Sequence, residues 1–452
     1  MASDSPKSRV VILGAAGRDF HDFNVQYRHD PTVTVVAFTA AQIPGIDARR
    51  YPPSLAGPLY PDGVAIEPED RLEAICAREN VTQVVFAYSD VSHAHVMHLA
   101  SRSLAAGADF LLLGPRSTMI ESPIPVIAIC ATRTGCGKSQ IARWLGRRLR
   151  EQGVRVAVLR HPMPYGDLER QRAQCFAARE DLARADCTLE EREEYEPHLA
   201  AGNVVFAGVD YAEIVRQAAR RAELIVWDGG NNDFPFVRPD LAVAVVDALR
   251  PGQADAYHPG ETVLRMAGVV VVNKVDAASS ADVLRVIDEV RAVNPGAILV
   301  HAASPVRLDD PPAVRGRRVL VVEDGPTITH GGMAHGAGFV AAVRAGAATI
   351  VDPRASAAGA IREIFTRYPH IGRVLPAVGY GPEQLSALRA TIDGSDAEVV
   401  VSATPIDLAA TIALEKPVVR ARYEFAEAGE PTLGAVIDGF RERLGDRLGR
   451  RP

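Results

Sequence analysis

Lysine is nearly missing from this chain of 452 residues. Among its 50 basic side chains only Lys7, Lys138, Lys274 and Lys416 are lysines. Where arginine is so strongly preferred, a lysine marks a place that needs a compact ammonium. Cysteine is scarce too, with Cys76, Cys130, Cys136, Cys175 and Cys187 the full set. An odd number without paired spacing excludes a disulfide framework and a thiolate metal cluster, and suits a reducing cytoplasm. An excess of positive charge is absent: the net charge of -6 leaves no electrostatic footprint for nucleic acid or an anionic membrane. No apolar run approaches the roughly 18 residues of a membrane helix, no signal peptide opens the chain and no solenoid period recurs. What is present, 47% hydrophobic and 23% charged residues, is ordinary globular material. At roughly 150 residues per domain, the length predicts about three domains.

The central feature runs from Pro125 to Gln140, P-V-I-A-I-C-A-T-R-T-G-C-G-K-S-Q. Val126 to Cys130 reads as a buried strand, and a helical pattern follows from Ile141. Strand, glycine-bearing loop and Gly-Lys-Ser at a helix start are the context of a P-loop. Backbone N–H groups at a helix N-terminus attract phosphate oxygens, and glycine lets the main chain approach them. Thr132, Thr134, Gly135, Cys136, Gly137, Lys138 and Ser139 are therefore the expected nucleotide-binding residues. Lys138 pairs with the β/γ-phosphates and Ser139 holds Mg²⁺. Thr132 stands where the usual pattern has its first glycine.

Residues 1–120 alternate strands (Arg9–Leu13, Val33–Phe38, Val81–Ala87, Asp109–Leu113) with helical stretches, which implies a parallel, Rossmann-like α/β domain. Gly14 and Gly17 form only a G-x-x-G, read as a tight turn. The polar run Arg18 to Asn24 is expected at the carboxyl edge of the sheet, where ligands collect. His95 and His98 share a helix face with no carboxylate partner and read as solvated or core histidines. Residues 114–125, with three prolines, read as a linker.

Residues 124–305 form the expected P-loop NTPase domain. The strand Val154–Leu159 ends in Arg160 and His161, which should face the phosphates and are candidates for holding an anionic second substrate. Residues 167–198 are charged and helical and read as an insertion over the site, with Glu190–Glu196 a solvated face. The strand Leu224–Trp227 closes on Asp228, the expected Mg²⁺ carboxylate, with Asp233 a second carboxylate within reach. The strand Gly268–Val272 runs into Asn273-Lys274-Val275-Asp276, which resembles the base-specificity element of P-loop GTPases. There the aspartate reads guanine and the lysine stem covers the ring.

Residues 304–317 read as a second linker, and 316–452 as a third α/β domain. Its strand Arg318–Val322 ends in Glu323, Asp324, a glycine-rich run and His330. So many glycines at a strand end cost entropy on ordering, and the stretch is expected to bind substrate or catalyse. Arg354 is a further candidate anion ligand.

The loop T-R-T-G-C-G-K-S is similar to P-loops of the dethiobiotin synthetase and cobyric acid synthase branch, which also carry a threonine at the first position. Over nearly its full length the chain resembles the cyclic 2,3-diphosphoglycerate synthetase family. The resemblance is carried by Val11 to Asn24, the P-loop, Asp228 to Pro235, Val321 to Gly331, Tyr368 to Pro376 and Ala403 to Asp407. It implies ATP-dependent closure of a phosphoanhydride ring on a phosphorylated small acid, with Mg²⁺ as cofactor. Lys138, Asp228, Arg133 and His161 are the expected catalytic residues, and Arg160, His161, Glu323, Asp324, His330 and Arg354 the expected substrate-binding ones. Relatives of that family are also described as GTPases, so ATP and GTP both stand as co-substrate. The alternatives are a GTP-binding regulatory or metallochaperone-like protein and a kinase or ligase for another small acid. P-loop enzymes of this kind often pair across the nucleotide site, so a homodimer or higher homo-oligomer is expected, with no nucleic-acid or membrane partner.

Overall fold

The structure is a computed structural model describing residues 7–40, 49–161, 166–329, 331–377, 381–405 and 407–448. It is an α/β architecture with three main sheets, each gathering one stretch of chain except that the second also takes a late strand from the end of the chain. The first sheet contains β1 (Ser8–Leu13), β2 (Val33–Ala40), β3 (Arg50–Tyr51), β4 (Val64–Pro68), β5 (Gln83–Phe86) and β7 (Asp109–Leu112), in the order β3-β4-β2-β1-β5-β7. All its pairings are parallel except β3 with β4. Helices cover both faces, so β1 reads as a continuous apolar run rather than an alternating one.

The second sheet is built on β8 (Val126–Ala131), β9 (Val156–Arg160), β10 (Gln174–Phe176), β11 (Val204–Ala207), β12 (Leu224–Asp228), β13 (Leu241–Asp247), β15 (Val269–Asn273) and β16 (Ile298–Ala303). Its order is β10-β11-β9-β12-β8-β13-β15-β16, closed by the late strand β23 (Ala426–Glu427). β8, buried at every position, lies between β12 and β13. The carboxyl ends of these neighbours therefore converge on the loop that β8 feeds, which is where open α/β sheets place ligands.

The third sheet holds β17 (Val306–Leu308), β18 (Arg318–Asp324), β19 (Thr349–Ile350), β20 (Leu375–Ala377), β21 (Val399–Ala403) and β22 (Val418–Tyr423). β18 is central, and β17 pairs antiparallel with β22. The stretch 304–317, read as a linker, thus supplies a strand to this sheet. The tail also departs from expectation. Phe425, Leu433, Ile437 and Phe440 join the core formed by Ile141, Leu145 and Leu149 of the P-loop helix, so the end of the chain covers the central sheet.

Two short strands tie the first stretch to the second. β6 (Val91–Ser92) pairs antiparallel with β14 (Tyr257–His258). No helix among the described residues is long and apolar enough to cross a membrane.

Candidate functional site

The loop after β8 turns into the helix Lys138–Glu151 through Gly135 (φ +82°) and Gly137 (φ +102°), left-handed conformations that glycine adopts without strain. A side chain at Gly137 would also collide with the Asn273 amide, which instead donates to the Cys136 carbonyl at 2.8 Å. Lys274 donates to the Gly135 carbonyl at 2.7 Å and to Asp247 at 2.6 Å. Arg250 joins Asp247 at 3.0 Å and the Thr134 carbonyl at 2.9 Å. The first half of the Asn-Lys-x-Asp element therefore braces the loop from the β13–β15 side. Asp276 is exposed and accepts the Ser304 N–H at 2.9 Å. Thr132 donates its N–H to Val245 at 3.0 Å, and its carbonyl accepts from Asn232 at 2.9 Å.

Asp228 is the electrostatic centre. It is fully buried at the end of β12, and Lys138 Nζ donates to its Oδ1 and to the Gly229 carbonyl. The Ser139 hydroxyl lies 3.4 Å from the same Oδ1. Arg160 Nη1 sits 2.8 Å from Oδ2, and His198 Nε2 lies 2.9 Å from it. Burial alone would raise this carboxyl; the Arg160 and Lys138 cations and the His198 hydrogen bond outweigh it and hold Asp228 well below the usual carboxylate range. Burial pulls Lys138 the other way, below its usual range, against the attraction of Asp228. Burial also pushes His198 down to about 4, so the ring is neutral and its Nε2–H donates to Asp228. Nδ1 then faces the Asn203 amide at 3.4 Å.

Among the described residues no group of three or more His, Cys, Asp or Glu side chains is placed to hold a metal. Ser139 and Asp228 nevertheless fit Mg²⁺, which takes one or two protein ligands and fills its shell with phosphate and water. Both groups turn to one point, and the Oδ1 that Lys138 occupies is the one nearest the hydroxyl.

The other expected residues are distributed differently. Arg133 is 3% exposed, ion-paired to Asp90 at 2.8 Å and stacked 3.4 Å over the Tyr257 ring. Asp90 also accepts the P-loop N–H of Thr134 at 3.2 Å. Arg160, expected to hold an anionic substrate, is committed to Asp228 and Glu194. His161 lies beside Gly17 and Gly230, with burial pushing it down to about 3 and its Nδ1 without a partner among the described residues.

Glu323 and Asp324 act as helix caps. Glu323 accepts from the N–H groups of Gly336, Gly338 and Phe339 at 2.8–3.2 Å, at the start of the helix Ala337–Arg344. Asp324 caps Gly325–Ile328 through Thr327. Arg354 staples the Ile371 and Gly372 carbonyls within the third sheet's layer and stacks on Phe365. His330 lies outside the described residues. Two acids of the run read as a solvated face, Glu191 and Glu193, are instead buried: Glu191 accepts from Gln171 at 2.6 Å and closes a capping box with Thr188, while the half-buried Glu194 meets Arg160.

The sequence reading missed His198, Asn203 and Asp90. A signal for His198 existed, because Glu191, Glu194 and His198 follow spacings of three and four and so share a helix face.

The P-loop, its carboxylate and the parallel sheet define a P-loop NTPase core flanked by two further α/β layers. No protein-family model matches the chain. The arginine synthetase ArcE of Thermococcus kodakarensis is 55% identical over 436 residues, covering 96% of this chain and 97% of that protein. The chain belongs to the family of that arginine synthetase. The cyclic 2,3-diphosphoglycerate synthetase of Pyrococcus furiosus is 26% identical over 215 residues, 42% of this chain and 48% of that one. The resemblance noted above is thus a distant and partial one. Among solved structures, LpxK from Aquifex aeolicus in complex with ATP covers 72% of this chain and 90% of its own at 13% identity, with a TM-score of 0.40. The hydrogenase maturation factor HypB from Archaeoglobus fulgidus covers 46% of this chain and 89% of its own at 14% identity, with a TM-score of 0.26.

Proposed function

We propose that the protein is an ATP-dependent synthetase whose product is arginine or a close guanidino relative. The observation that carries this reading is the 55% identity with ArcE along 96% of the chain, and the complete phosphate cradle supports it. A guanidino carbon is made when nitrogen replaces the oxygen of a ureido group, and that oxygen leaves poorly. A phosphoryl donor solves the problem. The ureido oxygen takes the γ-phosphoryl as the bond to the bridging oxygen of ATP breaks and ADP departs. A nitrogen nucleophile, ammonia or a primary amine, then adds to the carbon. The C–O bond breaks, inorganic phosphate leaves with the electron pair, and the nitrogen loses its extra proton.

Lys138 serves this chemistry by moving from Asp228 to the β/γ-phosphates, where its ammonium neutralises developing charge. Ser139 and Asp228 hold Mg²⁺, which supplies further charge neutralisation when bound. Arg160 and His198 keep the Asp228 carboxylate ionised and oriented. Arg133, buried and paired with Asp90, braces the loop beside the Thr134 N–H.

Ring closure of 2,3-diphosphoglycerate is disfavoured by the disposition of the cations. A polyanion needs arginines free to meet it, and Arg160 and Arg354 are bonded to protein groups. The test offers the full-length protein ATP, Mg²⁺ and either citrulline with ammonium or 2,3-diphosphoglycerate, with products identified by amino-acid chromatography and phosphorus NMR. Arginine with stoichiometric ADP and phosphate is the expected result. A cyclic phosphoanhydride, or nucleotide hydrolysis indifferent to both acceptors, would overturn the reading.

A further inference from the structure

A second polar cluster lies beside the phosphate cradle, at the junction of the first and second sheets. The short helix Arg18–Asp22 that follows β1 turns Arg18, Asp19 and Asp22 inward, and all three are buried. The loop after β12 brings Asp233 to meet them. Arg18 Nε donates to Asp233 Oδ1 at 2.8 Å, and Arg18 Nη2 donates to the Phe234 carbonyl at 2.6 Å. The Phe234 ring supports the guanidinium from 3.6 Å. Asp19 is satisfied by the N–H groups of Ala16 and Phe20 at 2.6 and 2.7 Å. Two groups are left over: Arg18 Nη1 and Asp22 Oδ1 are buried with no hydrogen-bond partner among the described residues. His161 stands nearby against Gly17 and Gly230, its Nδ1 likewise without a partner among the described residues. A side chain at Gly230 would overlap that ring.

Each buried, unpaired donor or acceptor costs roughly 1–3 kcal/mol, so this arrangement is expensive as packing alone. Its free groups select what it can receive. A phosphate needs several donors and would find one, the spare Arg18 Nη1, among three carboxyl groups. A bare cation would satisfy Asp22 and leave the Arg18 donor unused. A planar ureido head answers both, because its N–H groups donate to Asp22 and its carbonyl accepts from Arg18. The guanidino head of the corresponding product keeps the donor fork that suits carboxylates.

The position is also suitable. Asp233 closes the loop that starts at Asp228, and His161 follows Arg160, which is bonded to Asp228.

We propose that Arg18, Asp22 and Asp233 form the acceptor pocket, receiving the planar ureido or guanidino head of an amino-acid substrate next to the γ-phosphate end of the cradle. This assignment rests on the synthetase reading above and adds to it the residues that recognise the acceptor. Carbonyl oxygen toward Arg18 and nitrogen toward Asp22 also fix which atom of the head is offered for phosphorylation.

Calorimetric titration of L-arginine into the full-length protein with ADP and Mg²⁺ tests it, comparing the unsubstituted protein with Asp22→Asn and Arg18→Lys. Both variants should bind arginine at least about tenfold more weakly, the loss of one charged hydrogen bond, with ADP affinity within about twofold. Arg18→Lys retains the charge and loses the fork, which separates recognition from charge balance should Asp22→Asn fold poorly. If the unsubstituted protein neither binds arginine nor turns over citrulline, the synthetase reading falls and takes the pocket with it. If it does both and the two variants match it, the pocket alone is refuted.

Discussion

Replacing Asp22 by asparagine should stabilise the protein at neutral pH and leave it unchanged in acid. Burial drives the Asp22 carboxyl from 3.8 up to about 8; Arg18 opposes the shift, and Asp19 and Asp233 add to it. The folded state therefore retains a proton that the unfolded chain gives up above about pH 4. Stability from this group is fully present below its unfolded pKa of 3.8 and is lost as the pH rises toward about 8. Between 3.8 and pH 7 lie about three pH units, at about 1.36 kcal/mol each, so the cost at neutrality is about 4 kcal/mol. Asparagine has the same shape and carries no such cost. Melting temperatures of the two proteins, taken from pH 4.5 to 8.5, should coincide at the acid end and separate by several degrees at the alkaline end. A difference that is the same at every pH, or a variant less stable at pH 8, would refute the buried, proton-holding state. Paired with weaker arginine binding, the stabilisation identifies strain kept for function.

Two further substitutions probe the cradle. His198→Ala removes the donor 2.9 Å from Asp228, and the Mg²⁺ concentration for half-maximal turnover should rise about ten- to a hundredfold. Metal-free nucleotide binding should change far less, and an unmoved Mg²⁺ midpoint would show that His198 does not position Asp228. Asp276 is exposed, where a lone charge contributes little, so with ATP as donor Asp276→Ala should alter the apparent ATP affinity by no more than about twofold. A preference for GTP that disappears in this variant would make the nucleotide GTP instead.

The phosphate cradle was legible because its chemistry is local. Gly135 and Gly137 take positive φ, Lys138 and Ser139 open the helix within one turn of chain, and the strands β8 and β12 announce themselves as short apolar runs. Asp228 was legible by its place at a strand end. What the sequence hid is the set of partners that fold to Asp228 from a distance. His198 lies thirty residues before it in a helix dense with charge, where composition reads as a solvated face. The face was the opposite: Arg160 needs Glu194, and burying one obliges the other to turn inward. Glu323 and Asp324 were misjudged for a related reason. A carboxylate at the end of a strand looks like a ligand, yet the nearest unsatisfied groups are the N–H donors of the following helices, which bind carboxylates equally well.

The three layers meet on one loop, and that has a consequence for how the acceptor and the nucleotide sense each other. Asp90 reaches the P-loop from the first sheet, taking the Thr134 N–H and Arg133. Its own N–H is held by Asn232, on the loop that links Asp228 to Asp233. From the third sheet's side, the Gly331 carbonyl accepts from both Arg133 and Arg250, and Thr327 lies where a side chain on Gly135 would stand. Removing one member of a buried pair such as Asp90–Arg133 costs about 3–5 kcal/mol, so these contacts move together or not at all. Phosphates that draw Lys138 away from Asp228 act on the 228–233 loop, and that loop ends at Asp233 in the acceptor pocket. Conversely, a ureido head bonded to Arg18 acts on Asp233 and, through the same loop, on Asp228. The coupling is reciprocal by thermodynamic necessity, so each ligand should tighten the other.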